Sequence, residues 1–141
     1  MSAERLELIN EVFADLTAAI QNLNAIEAER ANKLYREALA GRFQLAYEMT
    51  QQLTRLIIAY LDEPKSNFPK ETLEIGMTNG LLPKSEGWFE MHSDRNTLAH
   101  EYSPPDLEKI SQHIEKNYST LLNAGYHLLK QKVQQLNTKV I

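Results

Sequence analysis

The chain has 141 residues and no cysteine, a length that suits one domain able to bury a core unaided, and disulfides and thiolate metal sites are excluded. Its 15 Lys and Arg against 19 Asp and Glu give a net charge of −4, which argues against broad, non-specific binding to a polyanion, because that needs many basic side chains on phosphates. No uninterrupted apolar run approaches the roughly 20 residues that cross a bilayer, and the opening "MSAERLELINE" lacks the basic-then-apolar order of a signal peptide, so a soluble, cytoplasmic protein with no membrane contact is expected.

In chain order, Leu6, Ile9, Phe13, Leu16, Ile20, Leu23 and Ile26 recur at steps of three and four, which is one stripe of an amphipathic first helix. "AIEAERANK" is polar and fits either a turn or a continuation of that helix. A second stripe runs through Leu34, Leu39, Phe43, Ala46, Tyr47, Leu53, Leu56, Ile57, Tyr60 and Leu61. Gly41 lies inside it at a cost of about 1 kcal/mol relative to Ala, and it is expected to mark close packing.

"DEPKSNFPKE", Asp62 to Glu71, carries two prolines, a serine and an asparagine and reads as the clearest loop. "KETLEIGMTNG" is a short helix stopped by Asn79-Gly80 in the C-cap manner, with Pro83 reinforcing the stop. A fourth helix starts near Ser85 and runs through Trp88, Met91 and Arg95 towards His100. Ser103 suits an N-cap and Pro104 the first position of a last, long helix, whose stripe is Leu107, Ile110, Ile114, Tyr118, Leu121, Leu122, Tyr126, Leu129, Val133 and Leu136.

No period-2 strand pattern and no repeat interrupt this series. The expectation is therefore an all-α, up-and-down helical bundle of about five helices, a single domain over residues 1–141. Long amphipathic helices in a small bundle leave apolar surface over, so a homodimer is expected. Trp88 reads as a core anchor, and Tyr35, Tyr47, Tyr60, Tyr118 and Tyr126 fall on or beside the apolar stripes.

Chemistry has few places to sit. His113 and His127 share a helix face but stand about 21 Å apart, and His92 and His100 about 12 Å, at 1.5 Å rise per residue. No His-x-x-x-His or Glu-x-x-His pair seeds a metal site, and the scattered glycines form no phosphate-cradling turn, so neither a metal nor another cofactor is expected. What remains is "HSDRNTLAHEYSPP", His92 to Pro105.

On a regular helix Arg95 and His100 point roughly 140° apart. Their convergence needs either a helix that ends before His100, which Ser103-Pro104-Pro105 favours, or two chains meeting across a symmetry axis. If they do converge, the histidine can move a proton near neutral pH and the guanidinium can hold phosphate oxygens. That combination suits cleavage of a ribophosphodiester, with Asn96 holding the ring or the phosphate. The plain alternative is that Asp94 and Arg95 are solvated charges, and that His100 and Tyr102 pack at a helix end.

"RNTLAHEY" (Arg95 to Tyr102) resembles the Arg-x4-His-x-Tyr signature of the HEPN superfamily, and the chain is similar to its HepT-like, nucleotidyltransferase substrate-binding members. "GRFQLAYEM" (Gly41 to Met49) resembles that family's Arg-Phe-x-x-x-Phe/Tyr-Glu stretch, and "WFEMHSDRN" (Trp88 to Asn96) its approach to the motif. The resemblance implies a dimerising helical bundle with two motif copies at a shared cleft, and a separately encoded minimal nucleotidyltransferase as partner. It implies a toxin of a toxin–antitoxin pair, a metal-independent ribonuclease acting on RNA, with Arg95 and His100 catalytic, Asn96 supporting, and Tyr102 the acceptor of AMP from the partner. The other role it implies is a non-catalytic subunit that presents substrate to the transferase. Two positions depart from many toxin members: Ser93-Asp94 replaces Gly-Phe, setting an acid beside Arg95, and Gln51-Gln52 replaces Trp-Lys.

Overall fold

A computed structural model describes residues 2–61 and 66–138. Helix α1 (Ser2–Ala25) ends in a 3-10 turn, Ile26–Glu29, followed by further turns before α2 (Tyr35–Tyr60), so "AIEAERANK" breaks the chain rather than extending α1. The stripe of α1 is buried through Leu6, Ile9, Leu16, Ile20 and Leu23, with Val12 and Ala19 beside it. It packs chiefly on α2, whose Leu39, Phe43, Ala46, Leu53, Ile57 and Ile58 face inward. Leu34 departs from the expected stripe: it caps α2 and is 61% exposed.

Part of the expected loop, residues 62–65, lies outside the described residues, and α3 (Pro69–Thr78) begins earlier than the loop reading allowed. Pro69 explains the difference, since it occupies the first helical turn, where no N–H is needed. The stop at Asn79-Gly80 forms as expected. Gly80 takes φ +72°, its N–H reaches Met77 O at 3.3 Å, and Leu81 N–H reaches Gly76 O at 2.8 Å, a Schellman closure. Helix α4 (Gly87–Ala99) follows, then α5 (Pro104–His113), which passes through a π turn, Ile114–Tyr118, into α6 (Ser119–Thr138). Ser103 caps α5 reciprocally with Asp106, each backbone N–H bonding the other's side chain at 3.2 Å.

Among the described residues there is no strand, and the chain is an all-α bundle. Counting α5, the π turn and α6 as the one unbroken run they form, the described residues make the five helices expected, two of them short. Helices α1 and α6 are registered by two reciprocal amide pairs: Asn10 with Asn137, at 3.0 and 2.8 Å, and Asn24 with Asn123, at 3.0 Å both ways. Each partner lies 14 residues further along one helix and back along the other, so the two helices run antiparallel, pinned at points about 21 Å apart. Thr17 and Tyr126 hydroxyls meet between them at 2.9 Å.

Gly41 does not mark close packing, because a Cβ added there meets nothing within 4 Å. The glycines that do are Gly76, Gly87 and Gly125. A Cβ at Gly125 would stand 2.9 Å from Cη2 of Trp88, which is fully buried and held by a 2.9 Å bond from its Nε1 to Pro83 O. This contact seats α4 on α6. Gly125→Ala is therefore expected to destabilise the fold by about 1–2 kcal/mol, overpacking outweighing the gain in helix propensity. Urea denaturation checks it, and an unchanged or raised midpoint would remove the close-packing role.

Candidate functional site

Helix α4 buries Trp88, Met91 and Leu98 and turns polar residues to both sides of that seam. One side, carrying His92, Arg95 and Asn96, faces α2. The other, carrying Glu90, Ser93 and Asp94, borders a recess of about 210 Å³ with His113 and Tyr118. The opening stretch of the motif is thus a bridge between two parts of the bundle.

On the α2 side, Arg95 donates from Nε at 3.1 Å and from Nη2 at 2.6 Å to the same oxygen, Oε1 of Glu48. Its Nη1 donates to Oδ1 of Asn96 at 3.3 Å. The pair with Glu48 is partly open, at 31% and 39% side-chain exposure, so its effect is to aim the guanidinium more than to stabilise the fold. Asn96 Nδ2 lies 3.3 Å from Nε2 of His92, whose Nδ1 lies 2.8 Å from the hydroxyl of buried Tyr47. Burial, with the positive charges of Arg95 and then Lys70 added, holds His92 below the ordinary imidazole value. Burial also pushes the Tyr47 phenol far above its usual range, against a small opposing pull from Arg95.

The helix ends where the sequence suggested. His100 leaves α4 with φ −114° and ψ −167°, an extended conformation, and only its backbone N–H stays bound, to Thr97 O at 3.3 Å. His100, Glu101 and Tyr102 form an exposed link to Ser103, and Tyr102 is 40% exposed. Arg95 and Asn96 are therefore brought together within this chain, whereas His100 and Tyr102 stand outside that hydrogen-bonded group on the link beyond it.

Asp94, the acid beside Arg95, does not engage it. Its Oδ2 accepts from the Tyr118 hydroxyl at 2.5 Å and meets His113 Nδ1 at 2.7 Å. Tyr118 and His113 are five residues apart, a spacing that an α-helix would splay by about 140°. The π turn between them, whose bonds run from i to i+5, brings both to one carboxylate oxygen. Burial, then the hydrogen bond and charge of Asp94, drives the Tyr118 phenol well above its usual range. Neither Asp94 nor Arg95 is a free solvated charge.

Sequence reasoning passed over His92, considered only as a metal ligand, and gave no role to Tyr47 beyond the core or to Glu48 at all. The signal for them lay in the two resembling blocks, since Tyr47-Glu48 closes one and His92 to Asn96 lies in the other. Those blocks meet here through the Arg95–Glu48 pair and the His92–Tyr47 bond.

Because His92 is held below its unfolded value of about 6.5, the unfolded chain binds the extra proton. Stability contributed by neutral His92 is complete above that value and is lost as pH falls towards the folded one. His92→Gln should shrink the stability difference between about pH 7 and about pH 5.5, read by urea denaturation. An equal difference in wild type and variant would mean His92 does not titrate in this environment.

No curated protein matches the chain. Residues 4–131 match a family described as nucleotidyltransferase substrate binding protein like, a span that takes in α1 to α5, the π turn and most of α6. Both sides of the α2–α4 junction, Tyr47-Glu48 and His92 to Asn96, fall inside that match, as do His100 and Tyr102. With an all-α bundle on one side and a match over nearly its whole length on the other, the chain belongs to the nucleotidyltransferase substrate-binding protein-like family.

Proposed function

We propose that this chain is the helical member of a two-protein system whose other member is a separately encoded minimal nucleotidyltransferase, and that Tyr102 is the hydroxyl to which that enzyme transfers AMP. The exposure of Tyr102 carries the reading. Of the chain's six tyrosines, Tyr35, Tyr47 and Tyr118 are buried and Tyr60 and Tyr126 pack against the core, while Tyr102 stands open on an extended link. A phenol so placed can enter another protein's active site without unfolding its own helix. There its oxygen attacks the α-phosphorus of ATP, the α–β anhydride breaks, pyrophosphate leaves, and the phenolic proton passes to a base of the partner.

The activity so controlled is metal-independent cleavage of RNA by a toxin of a toxin–antitoxin pair, with Arg95, Asn96 and His100 as its residues. His100 takes the proton of the 2′-hydroxyl, the oxygen attacks the adjacent phosphorus, and Arg95 stabilises the charge that gathers there; the bond from phosphorus to the 5′-oxygen breaks, that oxygen leaves with a proton from water, and a 2′,3′-cyclic phosphate remains. Arg95 and Asn96 face α2, whereas His100 lies past the helix end, so a second copy in a homodimer supplies the complementary half of each centre. AMP on Tyr102, two residues from His100, adds bulk and negative charge where RNA must approach.

One observation favours a second reading, a non-catalytic subunit that presents substrate to the transferase. The guanidinium of Arg95 already donates to Glu48 and Asn96, so a phosphate has to compete for it.

Expression of the chain alone is expected to arrest growth, and His100→Ala to relieve the arrest while AMP still reaches Tyr102. Tyr102→Phe is expected to block both AMP transfer, read by mass spectrometry after incubation with the partner and ATP, and neutralisation by the partner. Undiminished toxicity of His100→Ala would remove that residue from the site. Stable co-purification with the partner, without cleavage of RNA by the free wild-type chain, would establish the second reading instead.

A further inference from the structure

The chain of contacts Arg95–Asn96–His92–Tyr47 contains a conflict over hydrogen positions. A guanidinium only donates, so the carboxamide of Asn96 must turn its oxygen to Arg95 Nη1, 3.3 Å away. That leaves its amino group facing His92 Nε2 at 3.3 Å, which makes Nε2 the acceptor and puts the ring proton on Nδ1. Nδ1–H then donates to the Tyr47 oxygen at 2.8 Å, and the phenolic hydrogen of this buried residue is turned out of the relay.

The opposite polarity serves Tyr47 instead. Its hydroxyl donates to Nδ1, Nε2–H donates to the Asn96 oxygen, and the Asn96 amino group is driven against Arg95, donor facing donor. Each polarity satisfies one end and leaves the other in conflict. The position of the Arg95 charge selects between them.

We propose that Tyr47, His92 and Asn96 form a two-state relay whose polarity is set by Arg95, so that His92 is a positioning residue for the Asn96 amide. With Arg95 on Glu48, the relay keeps the amide oxygen on Nη1. When Arg95 turns that edge to a phosphate, the ring proton moves from Nδ1 to Nε2 by exchange with water, with no net uptake. The amide then reverses and offers its amino group to the same anion. The use of this motion rests on the proposed phosphate-handling role of Arg95 and Asn96; the relay itself does not. The surroundings keep the competition between the two neutral forms of the ring. The charges that reach it are Arg95 from its own helix and Lys70 from α3, both positive, and α2 presents Tyr47, with Glu48 engaged by Arg95.

The test is ¹⁵N NMR of histidine-labelled full-length protein at neutral pH, with the His92 signals assigned by their loss in His92→Gln. Wild-type His92 should carry its proton on Nδ1, against the usual preference of a free imidazole for Nε2–H. Arg95→Met, which removes the selecting charge from a half-exposed side chain, should move the proton to Nε2. Asn96→Asp, exposed and accepting from both neighbours, should give an Nε2–H as well. Nε2–H in the wild type, or Nδ1–H retained in both variants, would overturn the relay. Failure of the wild type to cut RNA would count only against the proposed function, since the tautomer is measured on the chain alone.

Discussion

Tyr47 and Glu48 are consecutive on α2, and each takes a different partner on α4: the phenol meets His92 and the carboxylate meets Arg95. Adjacent helical residues point about 100° apart, so the two contacts grip α4 from two directions and fix its rotation as well as its position. The rest of the site follows from that grip. Asn96 is bridged between the two α4 residues so held, and the opposite face of α4 is left to present Asp94 to the π turn.

Helix α4 has little apolar surface of its own with which to choose an orientation. Trp88 and Met91 seat it in the core, with the bare backbone at Gly125 making room for the indole. Polar contacts then decide which way the remaining faces turn. Such contacts are directional where apolar burial is not, and a helix meant to hold a guanidinium at one angle is better controlled by them. The polar contacts of α4 are divided by face: Asp94 binds the long C-terminal run, and Arg95 and Asn96 are held towards α2.

The departure at Ser93-Asp94 takes on a definite meaning in this arrangement. Asp94 is next to Arg95 in sequence but aimed away from it, onto Tyr118 and His113. The π turn allows both residues to reach one oxygen, the same five-residue geometry that a regular helix denies to Arg95 and His100. For the latter pair the helix ends at Ala99 and His100 extends beyond it, outside the group that holds Arg95.

Much of the fold was legible in the sequence. The stripes of α1, α2 and the last helix, the Asn79-Gly80 stop and the Ser103-Pro104 start all rest on local physics, namely the helical period and the needs of helix ends. Arg95, Asn96 and His100 stood out by type and spacing and Tyr102 only through the resemblance of three separated blocks, which also pointed to the family that the match over residues 4–131 establishes. Tertiary structure alone decided the rest. It decided that Glu48 neutralises Arg95, that His92 backs Asn96, that Asp94 serves the π turn, and that Gly125 is a close contact and Gly41 is not. Each of these joins residues from different helices, or depends on what stands opposite a side chain. Neither the period nor the composition of a single segment carries that information, because it arises only when the helices pack.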